Sequence, residues 1–232
     1  MNNTQNAYND IKSLFNKTFN PHLNLVNYNN ALKKLINLLT INYTKNISIL
    51  DIGGGRGFGN IFINNHIDYY ILDLNIQKSS NDKIKYIQGD ITSKNLDLGH
   101  KFDLIFTKDT YEHILNPWDS TDNIVNHLLE DGIFFFIAPF SWRYHASPYD
   151  AFRYTHTGVQ YLFERNNKLK KIASGYSSKI KTNGLWKNKK DFTLDNKPFS
   201  ECIEPIYLGQ KDSSYVFNKD VLDVDLAPKH DY

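Results

Sequence analysis

The stretch Leu50 to Asn60 reads LDIGGGRGFGN and contains five glycines among its eleven residues. It follows directly on the run NISIL, whose apolar residues are typical of a buried strand. Glycine allows the backbone to turn tightly and to approach a ligand closely. This stretch therefore predicts a strand that ends in a ligand-binding turn.

Two phosphate-binding loops are excluded by the spacing of these glycines. A P-loop requires a Gly-Lys-Ser/Thr sequence, and none follows here. The dinucleotide-binding pattern G-x-G-x-x-G also fails, because its last position is occupied by Phe58 or Asn60 instead of glycine. The pattern that does fit is Asp51 followed by glycines at every second position. A carboxylate suits a cationic ligand better than a pyrophosphate, and S-adenosylmethionine carries an ammonium and a sulfonium group but no phosphate.

Composition limits the class of protein. The 232 residues suit one domain, with 41% hydrophobic residues for its core, and the formal net charge of +2 argues against nucleic-acid or membrane partners. The single cysteine, Cys202, excludes an internal disulfide framework and fits a reducing compartment. The N-terminal sequence lacks a signal pattern and no apolar run has transmembrane length, so we expect a soluble cytoplasmic protein. Its oligomeric state is left open.

Helix and strand patterns alternate along the chain. We expect helices at Pro21–Thr40 and Asp122–Glu130, the second ended by Asp131-Gly132. The strand-like runs are Ile47–Ile52, Tyr69–Leu74, Ile84–Gln88, Phe102–Thr107, Ile133–Ala138, Lys170–Ser174 and Tyr215–Asn218. This alternation predicts a doubly wound, mostly parallel sheet with helices on both faces, in a single domain. We divide it into a helical cap (1–45), a cofactor-binding half (46–140) and an acceptor loop with the final strands (141–232).

Acidic residues end two further strands. Asp73 closes YYILDL, where a carboxylate can accept hydrogen bonds from ribose hydroxyls, and Asp90 in YIQGDIT can meet an adenine amino group. The order LDIGGGRG, ILDL, QGDI, FDLIFTKDTYEHI and EDGIFFFIAPF resembles the class I S-adenosylmethionine-dependent methyltransferases over roughly residues 47 to 165. The resemblance implies a seven-stranded Rossmann-like fold and an enzyme. The expected cofactor-binding residues are Asp51, Gly53, Gly55, Gly57, Asp73, Leu74, Asp90, Ile91 and Thr107.

The run TKDTYEHILNPWD begins where the fourth strand ends, which is where this fold places its chemistry. Asp109-x-x-Glu112-His113 is similar to the Glu-x-x-Glu-His arrangement of the ubiquinone-pathway O-methyltransferases, and the resemblance implies a bound Mg²⁺. Three interpretations stay open. Glu112 and His113 start a helix and only pack under the cofactor loop; or His113 is a general base; or Asp109, Glu112 and His113 hold Mg²⁺ or Mn²⁺.

The segment SWRYHASPYDAFRYTHTGVQYLFE mixes aromatic and charged residues after the fifth strand. Aromatic faces stack on rings, and arginines bind carboxylates or phosphates. The expected acceptor-binding residues are Trp142, Arg143, Tyr144, Tyr149 and Arg153. His145 is a second possible base. Alternatively, Asp150 and Arg153 form an internal ion pair that fixes the loop onto the sheet.

This segment also bears on the acceptor. Its run Pro-Tyr-Asp-x-Phe-Arg-Tyr-Thr resembles bacterial methyltransferases that accompany glycosyltransferases in surface-polysaccharide synthesis. The function expected is O-methylation of a small molecule, a sugar or surface-glycan precursor such as a capsule precursor. The alternatives are a phosphorylated or phosphoramidate capsule precursor, a small-molecule N-methyltransferase, a nucleic-acid methyltransferase, and a non-catalytic module that binds the same cofactor.

Overall fold

A computed structural model describes residues 9, 28–42, 46–55, 64–78, 81–140, 142, 144–146, 148–176, 180–181, 193–194, 197–198, 201–202 and 204–219. Within these ranges, no helix has both the length and the apolar character needed to cross a membrane. The predicted positions Gly57 and Arg143 lie outside the described residues, as does the start of the predicted first helix, 21–27.

A seven-stranded sheet forms the centre of the fold. The described strands are β1 (Ile47–Ile52), β2 (Ile67–Asp73), β3 (Ile84–Gln88), β4 (Phe102–Lys108), β5 (Leu128–Ile137), β6 (Leu169–Tyr176), β7 (Ile180–Lys181), β8 (Thr193–Leu194), β9 (Lys197–Pro198), β10 (Glu201–Cys202) and β11 (Pro205–Lys211). The large sheet has the order β3-β2-β1-β4-β5-β11-β6, and β11 runs antiparallel to both of its neighbours. The other neighbouring pairs are parallel. The predicted doubly wound, mostly parallel sheet is confirmed.

Three described helices cover the two faces of this sheet: α1 (Tyr28–Asn42), α2 (Pro117–His127) and α3 (His156–Glu164). On one face, α1 packs Leu32, Leu35 and Leu39 against the sheet, and this helix ends at Asn42 rather than at Thr40. On the opposite face, α2 and α3 bury apolar side chains against alternate residues of the same strands. Because both faces are covered, the residues of β1 are buried throughout.

The predicted end of the second helix is wrong. The helix starts at Pro117, where the Asn116 side chain accepts a hydrogen bond from the Asp119 amide, and it stops at His127. Leu128 has an extended backbone and begins β5. Asp131 adopts a positive φ of 64°, and the pairing of β4 with β5 shifts register in this region. The Asp131-Gly132 pair therefore lies at an irregularity inside β5, although such a pair commonly ends a helix.

The predicted last strand is also misplaced. The final strand of the sheet is β11, whereas Tyr215–Asn218 lies outside any strand. Tyr215 instead donates a hydrogen bond from its hydroxyl group to the Glu164 carboxylate. Between β6 and β11, the described residues form two small antiparallel pairs, β7 with β10 and β8 with β9.

Candidate active site

The parallel strands β1, β2 and β4 bring their carboxyl ends to one edge of the sheet. The glycine turn follows β1, Asp73 ends β2, and the segment from Asp109 to His113 follows β4. Ligands of doubly wound sheets bind at this edge. The sequence-predicted cofactor turn and the predicted catalytic motif are therefore neighbours in space.

The glycine turn depends on the absence of side chains. Gly53 has a φ of 74° and Gly55 a φ of 46°, both in the left-handed region. The Gly55 amide donates to the Asp73 carboxylate at 3.0 Å, which connects the turn to the end of β2. A Cβ atom on Gly54 would lie 2.4 Å from Asp51 Oδ2, so the backbone of the turn passes directly over Asp51.

Asp51 is a buried carboxyl group with one direct side-chain partner among the described residues. Its side chain accepts a hydrogen bond from the Tyr69 hydroxyl at 2.7 Å, and the residue is only 3% exposed. Burial raises the pKa of Asp51 to about 7, while the Tyr69 hydrogen bond opposes that rise. A cation near this group would favour its ionised form, as the predicted cofactor would require.

The other predicted cofactor residues differ in exposure. The Asp73 carboxylate also accepts from the Asn75 amide, and the adjacent Leu74 is 51% exposed, which leaves an apolar surface beside an acid. Asp90 is exposed and accepts from the amide and hydroxyl of Thr92. Ile91 is buried, and Thr107 is buried with no partner for its hydroxyl among the described residues. The exposed apolar side chain of Leu74, together with Asp73 and Asp90, fits a nucleoside: the leucine can pack on the base and the acids can bind its polar groups.

Thr110 is a residue of the site that the sequence did not indicate. Its hydroxyl lies 3.2 Å from the Ile52 carbonyl and 3.0 Å from the Lys108 carbonyl. It thereby joins the end of β1 to the end of β4. Tyr69, the partner of Asp51, was likewise missed, because a tyrosine in a strand gives no signal of its contact across the sheet.

Three side chains meet just beyond β4, and we call Glu112, His113 and His145 the EHH cluster. Glu112 and His113 lie in a single helical turn, Tyr111–His113, and His145 comes from the loop after β5. Glu112 Oε1 lies 3.6 Å from His113 Nε2 and 3.8 Å from His145 Nε2. The two imidazole rings stand nearly perpendicular, with centroids 5.0 Å apart.

Backbone hydrogen bonds and a buried acid hold these groups in place. The Glu112 carbonyl accepts from the Ala151 amide at 2.7 Å, which docks the loop after β5 onto the helical turn. His113 Nδ1 contacts the Tyr149 carbonyl, and His145 Nδ1 lies 3.5 Å from the Asp150 carboxylate. Both Nε2 atoms therefore face Glu112.

Glu112 is the most unusual group in the site. Its side chain is 0% exposed, and neither carboxyl oxygen has a hydrogen-bond partner among the described residues. Burial raises the pKa of Glu112 to about 8, and the nearby Asp109 carboxylate adds to this rise. An unpaired buried carboxylate is costly, so such a group takes up a proton or gains a cation.

Two of the predicted charged residues are engaged elsewhere. Asp109 has a positive φ of 50° and pairs with the Lys108 ammonium, and the metal-ligand group among the described residues includes His145 in its place. Arg153 holds Asp150 through two guanidinium nitrogens, one of them at 2.7 Å, and keeps the pKa of that carboxyl at about 2. The internal ion pair given above as the alternative for Asp150 and Arg153 is thus formed.

The predicted aromatic acceptor residues are unequally exposed. Tyr144 is 67% exposed and Tyr149 is also exposed, whereas Trp142 is half-buried. Phe140 and Trp118 add further exposed aromatic surface on neighbouring segments. These rings provide flat apolar faces on α2 and on the loop that follows β5.

Comparisons with known proteins agree with this fold. Residues 50–136, from β1 into β5, match the family model described as "Methyltransferase domain". A search of curated protein sequences gives no match. Among solved structures, the chain is similar to the BH2331 protein of Bacillus halodurans C-125, with a TM-score of 0.56 and 12% identity over 79% of this chain and 99% of that chain.

Two further solved structures share the fold. A TehB-like S-adenosylmethionine-dependent methyltransferase from Corynebacterium glutamicum has a TM-score of 0.51 and 18% identity, over 80% of this chain and 97% of that chain. The carbon methyltransferase CurJ has a TM-score of 0.53 and 12% identity, over 79% of this chain and 54% of that chain. The methyltransferase-domain match over residues 50–136, together with the shared fold, supports an S-adenosylmethionine-dependent methyltransferase.

Proposed function

We propose that this methyltransferase acts on a hydroxyl group of a small molecule, a sugar or surface-glycan precursor. The observation that carries the proposal is the EHH cluster. It places two imidazoles and a buried carboxyl group at the end of β4, beside the cofactor turn. A hydroxyl acceptor needs such proton-accepting groups because it must lose its proton, whereas a neutral amine is already a nucleophile.

The residues at the strand ends fit S-adenosylmethionine. In the proposed arrangement the glycine turn and Asp51 face the methionine end, Asp73 binds the ribose hydroxyls, and Leu74 and Asp90 flank the adenine. The cofactor supplies a methyl group on a cationic sulfur, which is a strong leaving group. The protein has to orient the acceptor oxygen and remove its proton.

Proton removal is assigned to the EHH cluster. His113 Nδ1 contacts a carbonyl oxygen, which only accepts, so Nδ1 carries the ring proton and Nε2 has a free lone pair in the neutral imidazole. Asp150 stands beside Nδ1 of His145 in the same way. Both rings are thereby oriented with a basic nitrogen directed into the cluster.

The surroundings of the cluster support a small, ring-shaped acceptor. Exposed Tyr144 and Tyr149 provide stacking faces of the kind that bind sugars. Arg153 is neutralised by Asp150, which removes one of the two arginines that would favour a phosphate-bearing acceptor. The formal net charge of +2 lacks the excess of cations that nucleic-acid binding requires.

The test is methyl transfer from labelled S-adenosylmethionine to a panel of acceptors. The panel contains nucleotide sugars, the matching deoxy sugars, amino sugars, small amines and single-stranded RNA. We expect label on a nucleotide sugar and none on its analogue that lacks the methylated hydroxyl. Transfer only to amines would reject O-methylation, and transfer only to RNA would reject a small-molecule acceptor. Absence of transfer, with intact S-adenosylhomocysteine binding, would favour a non-catalytic module.

A further inference from the structure

The EHH cluster has the spacing of a set of metal ligands. One ligand atom from each of Glu112, His113 and His145 lies within 4.8 Å of the other two. Both imidazole Nε2 atoms are nearer still to Glu112 Oε1, at 3.6 and 3.8 Å. Around a tetrahedral ion with bonds of about 2.1 Å, the ligand atoms are about 3.4 Å apart. A small contraction of the side chains would therefore close the three atoms on one ion.

The orientation of both histidines is that of metal ligands. A ligating imidazole usually donates its second ring N–H to a carbonyl or a carboxylate, which fixes the tautomer and the ring plane. His113 has the Tyr149 carbonyl at Nδ1, and His145 has the Asp150 carboxylate 3.5 Å from Nδ1. Asp150 is itself held by Arg153, and it also accepts from the His145 amide at 2.7 Å. The outer contacts of a metal site are thus in place.

The buried carboxyl group supplies an independent observation. Glu112 is fully buried and has no hydrogen-bond partner at either oxygen among the described residues. A carboxylate in such a place needs a compensating charge or proton. Arg153, a nearby cation, is already engaged with Asp150. A divalent cation would satisfy Glu112 and both Nε2 atoms together.

We propose that Glu112, His113 and His145 bind a divalent transition-metal ion. Two imidazoles and one carboxylate favour Zn²⁺, Mn²⁺ or Fe²⁺ over Mg²⁺, which prefers oxygen ligands. The set differs from the sequence-derived set of Asp109, Glu112 and His113, because His145 takes the place of Asp109. Three protein ligands leave coordination positions open, and His145, which is 34% exposed, marks the accessible side.

The role of this ion rests on the proposed function. With both Nε2 atoms bound to the ion, the ion would act on the acceptor hydroxyl in place of an imidazole base. It would bind the acceptor oxygen and lower the pKa of the hydroxyl, so that the proton passes to solvent. The oxygen then forms its bond to the methyl carbon as the methyl–sulfur bond breaks, and the electron pair of that bond remains on sulfur. Neutral S-adenosylhomocysteine and the methyl ether are the products.

Metal binding is tested without cofactor or acceptor, so that its outcome is independent of the methyl-transfer assay. Untagged protein is freed of metal with EDTA and titrated by calorimetry with Zn²⁺, Mn²⁺ and Mg²⁺. We expect one site per chain, with Zn²⁺ bound most tightly and Mg²⁺ least. Glu112→Gln and His145→Ala should lower the Zn²⁺ affinity at least 100-fold. Asp150→Asn should lower it about 10- to 100-fold by releasing His145.

Two further variants define the ligand set. Asp109→Asn should keep the wild-type Zn²⁺ affinity, since its carboxylate is paired with Lys108. His66→Ala removes an exposed histidine that precedes β2, at the opposite edge of the sheet, and it should also bind normally. Binding of S-adenosylhomocysteine by each variant checks that the fold is intact, and His145→Ala serves if Glu112→Gln does not fold.

The outcomes that overturn the proposal are specific. No binding of Zn²⁺ or Mn²⁺ to the wild-type protein would reject the site. Zn²⁺ binding that survives both Glu112→Gln and His145→Ala would place the ion elsewhere. A loss of affinity in Asp109→Asn but not in His145→Ala would restore the sequence-derived set.

Discussion

The hydroxyl group of Thr110 occupies the space that a side chain on Gly53 would need. A Cβ atom on Gly53 would lie 2.3 Å from Thr110 Oγ1, far inside van der Waals contact. Thr110 is held there by two carbonyl oxygens, one from the end of β1 and one from the end of β4. Because Thr110 is two residues before Glu112, the glycine turn and the EHH cluster are packed on the same short segment.

Replacement of this glycine should damage both stability and cofactor binding. Gly53→Ala adds a clash with Thr110 to the strain of a φ of 74°, whereas Gly99→Ala adds only strain, with a φ of 62° and no atom within 4 Å. We expect Gly99→Ala to lower the free energy of unfolding by about 1 kcal/mol and Gly53→Ala to lower it further. Urea unfolding and calorimetry with S-adenosylhomocysteine measure the two effects. Equal destabilisation, with wild-type affinity in Gly53→Ala, would contradict the packing role.

The Asp73 carboxylate should contribute to cofactor affinity. In Asp73→Ala the Gly55 amide loses its acceptor, and the proposed ribose bonds are lost with it. We expect the binding of S-adenosylhomocysteine to weaken by about 1–3 kcal/mol. Asp68→Ala is the matched control, because it removes an exposed carboxylate from the same strand, one that pairs with Lys85. Tight binding by Asp73→Ala, or saturable binding of NAD by the wild-type protein, would reject the assigned site.

Titration of Asp51 should make the stability of the cofactor-free protein depend on pH. Its pKa is about 7 in the folded chain against 3.8 for the free side chain. Between these values the folded state holds a proton that the unfolded state has lost, so the free energy of unfolding falls as pH rises. This loss of unfolding free energy is complete above about pH 7 and is on the order of 4 kcal/mol at most.

The measurement compares the pH dependence of the unfolding free energy between the wild-type chain and its variants. Urea unfolding between about pH 5 and about pH 8 should show a shallower loss of stability for Asp51→Asn than for the wild-type chain. Other buried carboxyl groups contribute to both curves, so the difference isolates Asp51. Tyr69→Phe removes the hydrogen bond that lowers the pKa of Asp51, and it should extend the loss to higher pH. Parallel curves for wild-type and Asp51→Asn would refute the buried titration.

Two strands, β1 inside the sheet and β3 at its edge, could be predicted because their signal is local. Ile47–Ile52 and Ile84–Gln88 match β1 and β3 residue for residue, since apolar runs bounded by turn residues define a strand by themselves. The strand β11 was missed because Pro205 and Gly209 argue against a strand. In the folded chain Gly209 lies at a register shift, where a Cβ atom would meet the Tyr207 ring at 2.6 Å.

The candidate site was also only partly predictable from the sequence. The glycine turn and the acids at the strand ends follow from short motifs and their order. The EHH cluster does not, because its third member depends on a contact between Glu112 and Ala151, 39 positions apart. Asp109 was the nearer acid in sequence, but a positive φ and the Lys108 ammonium direct it to another partner. The spacing of residues in the sequence does not show that His145, and not Asp109, joins Glu112 and His113.

The final prediction concerns His113, which contributes an Nε2 atom to the cluster whether it takes the acceptor proton itself or holds an ion that acidifies the hydroxyl. His113→Ala leaves the glycine turn, Asp73 and Thr110 untouched, so S-adenosylhomocysteine should bind as in the wild-type chain. Turnover with the acceptor found in the panel should fall by roughly two or more orders of magnitude, the usual contribution of a general base. His66→Ala is the control for loss of a histidine. Near wild-type turnover in His113→Ala, together with indifference to EDTA, would leave Glu112 and His113 as residues that only pack under the cofactor turn.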